Sequence, residues 1–252
     1  MDFYLNGTKI SLTNPEKVFN TIKNHEYNES NYICLFGLYP LTQSFKDKIL
    51  QSALNNSFLN PLHGKSIELY FRAKGHKNIQ TTDGVYLLNR LLNEKMSHYF
   101  YGTNVATLNK IKDKINQEYP NAKIIGYKEP PLIEIDNIID NPQIKLDFIE
   151  INKQKPNIIW IGLGGIKQDL VMYNYMKYLD KSLMIGVGAV FDYFAGNLSL
   201  SSEKVKKFGF RWLYRLFLQP ILIKKIIRAV FLTITLFIKL LINRIFVKPK
   251  QP

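Results

Sequence analysis

One stretch limits the architecture of this chain more than any other: Pro156-Asn157-Ile158-Ile159-Trp160-Ile161-Gly162-Leu163-Gly164-Gly165-Ile166-Lys167-Gln168-Asp169. A continuous apolar run closed by glycines reads as a buried strand feeding a tight turn, and the residues after it open a helix. The pattern recurs at 182–186, where an apolar strand ends in Gly186-Val187-Gly188-Ala189-Val190-Phe191-Asp192. Further strands are expected at 31–36, 66–71, 98–101 and 123–127. Helices are expected at 41–55, 83–94 (with Thr82 or Thr81 as N-cap), 105–118, 144–154 and 167–179. Alternating strands and helices imply an α/β fold: a Rossmann-like, mostly parallel sheet flanked by helices. No internal repeat or low-complexity linker interrupts it. The 252 residues suit one large domain or one and a half, and at 46% hydrophobic they can bury a proper core.

Charge divides the chain in two. Between Lys204 and Pro252 there are twelve basic residues and no acidic one; subtracting these twelve from the net +14 leaves +2 for the first 203 residues. The expected organisation is a near-neutral domain, 1–203, and a basic C-terminal appendage, 204–252, with Pro220 marking where the helical tail begins. Within 221–247 the longest uncharged stretch is 229–238, ten residues, whereas a span needs roughly 20. Lys224, Arg228, Thr235, Lys239 and Asn243, with Lys225 at their margin, share one stripe about 100° wide on a helix of about 100° per residue. The remainder is mainly Ile, Leu, Phe and Val. Such a helix lies in the headgroup plane of an anionic membrane surface rather than crossing it; the competing reading docks its apolar side on the body or another subunit. Nucleic acid is not expected as a partner, because stacking aromatics are needed there and the tail is aliphatic. The N-terminus lacks the basic and apolar regions of a signal peptide. The single cysteine, Cys34, sits in an apolar run as a buried, inert thiol. Together these place the body in the reducing cytoplasm, attached peripherally to the inner face of the membrane.

The glycine turn at 162–165 aims backbone N–H groups and a helix's positive end at whatever lies beyond the strand, and an anionic diphosphate fits that environment, with Lys167 adding a charge. It is not a P-loop, and Lys167 stands where a dinucleotide fingerprint needs its third glycine. A tight turn without ligand remains the alternative. Asp192 can accept hydrogen bonds from a base or sugar, or cap its turn. Arg211 and Arg215, four apart and beside Trp212 and Tyr214, suit a phosphate at a membrane surface or are ordinary solvated charges.

Taken in order, Pro156 to Gly164, Lys167-Gln168-Asp169, Gly186-Val187-Gly188 to Phe191-Asp192, Ala195-Gly196 and Trp212-Leu213-Tyr214-Arg215 with Pro220 resemble the WecG/TagA/CpsF glycosyltransferase family, firmly from about Tyr99 to Pro220 and more weakly upstream to Gly7. The resemblance implies a Rossmann-like enzyme that inverts a sugar (an N-acetylhexosamine or related hexose) from a UDP-sugar onto a polyprenyl-diphosphate-linked acceptor, for capsule, exopolysaccharide or other envelope polymers. It implies no metal-binding Asp-x-Asp, and none occurs; His25, His76 and His98 have no metal-ligand spacing, so neither metal nor cofactor is expected. A homo-oligomer is compatible with the family.

Residue by residue, the resemblance puts Gln168 and Asp192 near the nucleotide and Gly162, Gly164 and Lys167 on the phosphate side, with Gly186 and Gly188 completing the donor pocket. Arg211 and Arg215, with Arg228 beyond them, fall to the diphosphate or acceptor lipid. Two positions depart from the pattern. The family's usual Asp-Gly, its suspected base, is His63-Gly64 here, and an early-strand Asn is Phe36-Gly37. Histidine can take a proton near neutral pH, so His63 is the first candidate base and Asp83, in the other local Asp-Gly, the second. The departures also motivate an alternative: a catalytically degenerate member that binds or scaffolds a membrane-bound assembly.

Overall fold

The computed structural model describes residues 1–132 and 134–198, together with eight positions between 223 and 238. The chain opens with an antiparallel hairpin, β1 (Asp2–Leu5) and β2 (Thr8–Ser11). It turns through Asn6-Gly7, both at positive φ, as a two-residue hairpin of this twist requires. Then follow α1 (Pro15–Lys23), β3 (Asn31–Cys34), α2 (Leu38–Ser44), α3 (Lys48–Asn55), α4 (Lys65–Ala73), α5 (Gly84–Leu91), β4 (Ser97–Gly102), α6 (Val105–Glu118), β5 (Lys123–Lys128), α7 (Pro142–Lys153), β6 (Ile158–Gly162), α8 (Gly165–Tyr175), β7 (Leu183–Gly186) and α9 (Val190–Phe194).

Five strands form one sheet in the order β3-β7-β6-β4-β5, each pair parallel. The fold is therefore α/β, as the alternation of elements implies. Side chains leave the strands alternately, and both faces are covered. Tyr32, Tyr101, Ile159, Ile161 and Met184 pack on one face with α2, α3, α4, α7 and α8. Ile33, Phe100, Ile158, Trp160 and Ile185 pack on the other with α1, α5, α6 and α9. That double burial is why β6 reads as an unbroken apolar run. Trp160 is fully buried and donates its Nε1 proton to His98 Nδ1 at 3.2 Å, so His98 accepts there as a neutral ring. Burial holds its pKa down at about 4.

Three local expectations change. The segment expected as a strand at 66–71 is helix α4: Ile67, Tyr70 and Phe71 are buried at helical spacing while Leu69 faces solvent. Buried Glu68 pairs with Lys65 and Arg72 along the helix and accepts the Thr81 N–H at 3.1 Å, which a strand would not allow. The single helix expected at 41–55 is two, because Asp47 caps a new start by accepting from the Ile49 and Leu50 N–H groups. Asp83, rather than Thr82 or Thr81, caps α5 through a 2.9 Å bond from the Val85 N–H.

Of the appendage, helical positions 223, 227, 230, 231, 232, 234, 235 and 238 are described. Ile223, Ile227, Phe231, Ile234 and Ile238 are all exposed and repeat at three- and four-residue spacing, so they form one apolar stripe on the outside. Leu232 points the other way and packs against the core on the α8 side of the sheet. No helix among the described residues is long and apolar enough to cross a membrane. The boundary expected at 203/204 lies outside the described residues.

Candidate active site

Each sheet strand delivers its loop to the same carboxyl edge. From β4 the chain crosses to β5 at one border, and from β6 it crosses back to β7 toward the other. The crevice between the ends of β4 and β6 is therefore the place where open α/β sheets take ligands. Gly102 and Gly162 close those two strands side by side, with the Thr103 N–H donating to the Gly162 carbonyl at 3.2 Å. Gly102 has φ +147°, and a Cβ on it would stand 2.6 Å from the Gly162 backbone. Gly102→Ala should therefore destabilise by about 2–4 kcal/mol, a fall of roughly 5–10 °C in Tm by calorimetry.

The β6–α8 turn carries the strongest polar signal. Helix α8 starts at Gly164 with no side chain capping its first N–H groups. It shares this with α2, α4 and α9, whereas α1, α3, α5, α6 and α7 are capped by Asn14, Asp47, Asp83, Asn104 and Asn141. In that uncapped first turn, Gln168 is only 4% exposed and its Oε1 has no hydrogen-bond partner. A Cβ on Gly188, at φ +56°, would sit 3.3 Å from that Oε1 and 3.4 Å from the Gly164 Cα. A Cβ on Gly186 would sit 3.0 Å from Gln168 Nε2. Gly164, Gln168, Gly186 and Gly188 thus lie against one another, with Gly162 and Lys167 in the same β6–α8 turn. Glycine at these seats lets two loops close over a buried amide.

Asp192 lies in the first turn of α9, just past Phe191, whose ring underlies Gly162. Its carboxylate accepts from Asn197 Nδ2 at 3.3 Å. Asn197 also donates to Thr107 Oγ1 and accepts from Lys110 Nζ, which ties this corner to α6. Asp192 therefore borders the β4–β6 crevice from the β7 side.

His63 reaches the same edge by an irregular route. Residues 59–62 run parallel beside β3 through the bridges Ile33–Leu59 and Phe36–Leu62, and the His63 N–H donates to the Phe36 carbonyl at 3.2 Å. Fully buried Asn60 anchors that segment, donating to the Lys9 and Leu54 carbonyls and accepting from Ser57 Oγ. His63 Nδ1 lies 3.2 Å from the Thr82 carbonyl. A carbonyl can only accept, so Nδ1 carries the proton and the lone pair is on Nε2. Asp83 is the next residue, and a Cβ on Gly84 would strike Val190 Cγ2 at 2.7 Å and lie 3.4 Å from Leu35. Both base candidates therefore border the ends of β3 and β7, beside the glycine turns.

The family model for the glycosyl transferase WecG/TagA/CpsF family matches residues 3–251. The chain belongs to that family. It is a glycosyltransferase. Among curated proteins it is 27% identical over 219 residues to an N-acetylglucosaminyldiphosphoundecaprenol N-acetyl-beta-D-mannosaminyltransferase of Bacillus subtilis strain 168, covering 85% of this chain and 73% of that protein. It is 22% identical over 214 residues to the protein of the same name from Bacillus spizizenii, covering 85% and 72%.

Two buried residues beside these turns were given no role from the sequence. Gly102 carries the same strand-then-glycine signal as Gly162 and Gly186, and was legible on that ground. Asp169 was quoted only as part of a motif, yet it is fully buried beside the Cys34 thiol and the Gln168 amide, and neither carboxyl oxygen completes a hydrogen bond. Burial drives its pKa up to about 7, only partly offset by those two neighbours. Cys34 is fully buried, and burial pushes its thiol well above the ordinary range, in keeping with an inert role. Arg211, Arg215 and Arg228 lie outside the described residues.

Proposed function

We propose that this glycosyltransferase moves an N-acetylhexosamine or related hexose from a UDP-sugar to a polyprenyl-diphosphate-linked acceptor, with inversion, in the synthesis of a cell-surface polysaccharide. The observation that carries the reading is the uncapped start of α8 with the buried, unpartnered Oε1 of Gln168 beneath it. A helix N-terminus stabilises developing negative charge, and a polar atom hidden without a partner calls for a donor. The diphosphate of the sugar nucleotide supplies the first, and an N–H or O–H of the nucleotide or sugar the second. Relatives named for transfer to an undecaprenol-linked diphosphate support the acceptor class.

In this reading the acceptor hydroxyl gives its proton to His63 Nε2 as its oxygen bonds to the sugar's anomeric carbon. The bond from that carbon to the β-phosphate oxygen breaks, and UDP leaves. The α8 N–H groups and Lys167 hold the charge that builds on the leaving phosphate, a role that otherwise falls to a metal ion. Asp192 orients the nucleotide. Arg211, Arg215 and Arg228 attend the acceptor's diphosphate.

A UDP-sugar held at about 100 times its dissociation constant should add roughly 2.7 kcal/mol to stability, seen as a clear thermal shift. The same sugar should then be transferred to a synthetic N-acetylglucosaminyl-diphosphate lipid. If no UDP-sugar shifts the melting curve, the reading is wrong. Binding without turnover would instead select the degenerate, scaffolding alternative.

The exposed Ile223, Ile227, Phe231, Ile234 and Ile238 stripe supports attachment of the appendage to the inner membrane face. Deleting residues 221–252 should release the body from anionic liposomes in a flotation assay, since each Lys or Arg near such a surface contributes roughly 1 kcal/mol beside apolar burial. Undiminished flotation of the truncated body would exclude this attachment.

A further inference from the structure

Among the described residues, seven buried side-chain atoms have no hydrogen-bond partner, and three of them belong to consecutive residues: Oε1 of Gln168 and both carboxyl oxygens of Asp169. The fold draws no bond from this carboxyl. Asp169 is the fifth residue of α8, past the turn that a carboxylate could cap. It forms no ion pair among the described residues and is fully buried. A polar group hidden this way weakens the fold, so its presence calls for a use elsewhere. We propose that Asp169 is a positioning residue of the donor site, holding the Gln168 amide with Nε2 turned toward the sheet and Oε1 toward the glycine turns; the inference rests on the transferase reading above.

The packing shows the two ends of the amide. Cys34, the last residue of β3, lies beside Gly186, the last residue of β7. Two donors approach the Asp169 carboxyl, the Cys34 thiol and the Gln168 amide, which sets the carboxyl over that β3–β7 pair. A Cβ on Gly186 would stand 3.0 Å from Gln168 Nε2, and a Cβ on Gly188 would stand 3.3 Å from Oε1. The nitrogen therefore faces the strand and the oxygen faces the turn beyond it. Met172, one helical turn along α8, closes the strand side, with its methyl 2.7 Å from the same Gly186 Cβ position.

Shape by itself does not choose this sense. Amide nitrogen and oxygen are nearly the same size, so an amide rotated by half a turn fills the same space. The neighbouring carboxyl does choose. It offers acceptor oxygens to the amide N–H groups, whereas a carbonyl oxygen in that place would face two more oxygens. With the sense fixed, Oε1 stands ready under the β6–α8 turn as an acceptor, and a ligand's N–H or O–H pays no ordering cost to find it.

Asp169→Val and Asp169→Ala remove the polar atoms, and Asp169→Asn keeps an acceptor of the same shape. Because Asp169→Val removes a buried carboxyl without a partner, it should unfold in urea at or above the wild-type midpoint near pH 8. The probes are UDP-N-acetylglucosamine and UDP-N-acetylmannosamine, with a short-chain N-acetylglucosaminyl-diphosphate lipid as acceptor. The expected result for both truncations is a donor KM raised about fivefold or more, the scale of one hydrogen bond, with kcat and acceptor KM changed less than about twofold. Asp169→Asn should recover most of that loss. In a Gln168→Ala background Asp169→Val should add less than about twofold, because the amide through which it acts is gone. Side-chain amide NMR on the full chain reads the same effect without ligand. The Gln168 Nε2 proton pair, assigned by its loss in Gln168→Ala, should shift or broaden in Asp169→Val and return in Asp169→Asn.

A donor KM and a Gln168 signal equal to wild type in Asp169→Val would overturn the assignment while transfer itself stands. An equal loss with and without Gln168, or failure of both truncations to fold, would overturn it as well, since the fold rather than the amide would then need the carboxyl. A wild type that binds no UDP-sugar, with the Gln168 signal still dependent on Asp169, would defeat the transferase reading and leave the positioned amide.

Discussion

Replacing His63 with alanine is expected to lower kcat by roughly a hundred- to ten-thousand-fold, the range that a positioned general base supplies, with UDP affinity unchanged. The geometry gives the reason. The Thr82 carbonyl, 3.2 Å from Nδ1, fixes the tautomer that leaves Nε2 as the basic nitrogen. The ring is carried by a segment locked beside β3 by buried Asn60, so its position does not depend on substrate. The substitution truncates a half-buried side chain outside both cores, so melting should barely move. His63→Asp, which restores the family's usual residue, should recover part of the lost turnover. The rate and the thermal shift by UDP, measured on the same samples, decide the matter. If His63→Ala retains full kcat while Asp83→Asn does not, the base is Asp83, and the histidine only braces the Thr82 loop.

The second large effect concerns stability rather than rate. Asp169 has a folded pKa raised to about 7 from an ordinary value of 3.8. The folded state therefore holds its proton where the unfolded chain has lost it. Its contribution is fully present below about pH 3.8 and is lost as pH rises through 7. At about 1.4 kcal/mol per pKa unit, the loss is about 4 kcal/mol. His98 runs the other way. Its folded pKa is depressed to about 4 from 6.5, so the unfolded state takes the proton first and stability falls by about 3 kcal/mol as pH drops from 6.5 to 4. In the wild-type protein the two slopes largely cancel across that window.

Asp169→Asn removes one of them. Relative to the variant, the wild type should lose about 4 kcal/mol between pH 4 and pH 8, whatever constant cost the buried asparagine amide adds. The variant alone should show the His98 slope, weakening by about 3 kcal/mol from pH 6.5 to 4. Urea unfolding of both proteins across that range measures the difference directly. Parallel pH profiles would mean that Asp169 is ionised in the folded protein.

How much of the site was legible follows from the range over which each signal acts. The glycine seats at 162, 164, 186 and 188 were readable because a strand that ends in glycine announces a turn locally. Histidine at 63 was visible as a departure from the family's Asp-Gly. Its partner carbonyl at Thr82 was not, because nineteen residues separate them and no pattern links the two. The α4 segment was misread for a similar reason. Ser66-Ile67-Glu68-Leu69-Tyr70-Phe71 has no strict period, and the choice fell to Glu68, which needs Lys65, Arg72 and the Thr81 N–H around it. Asp169 carries no local signal of burial in the sequence, and only packing against Cys34 and Gln168 shows that it is sealed from water.

By itself the sequence determined that strands buried on both faces alternate with helices, that they end in glycine turns, and that the positive charge belongs to an aliphatic tail. These properties follow from side-chain period and backbone freedom, which act over a few residues. The tertiary structure alone decided the strand order β3-β7-β6-β4-β5, and with it the crevice at β4 and β6. It also decided that Gln168 lies under Gly188 and that the 59–63 segment carries His63 to the same edge. Those outcomes depend on which distant faces fill one another's volume at close packing, and no local pattern contains that information.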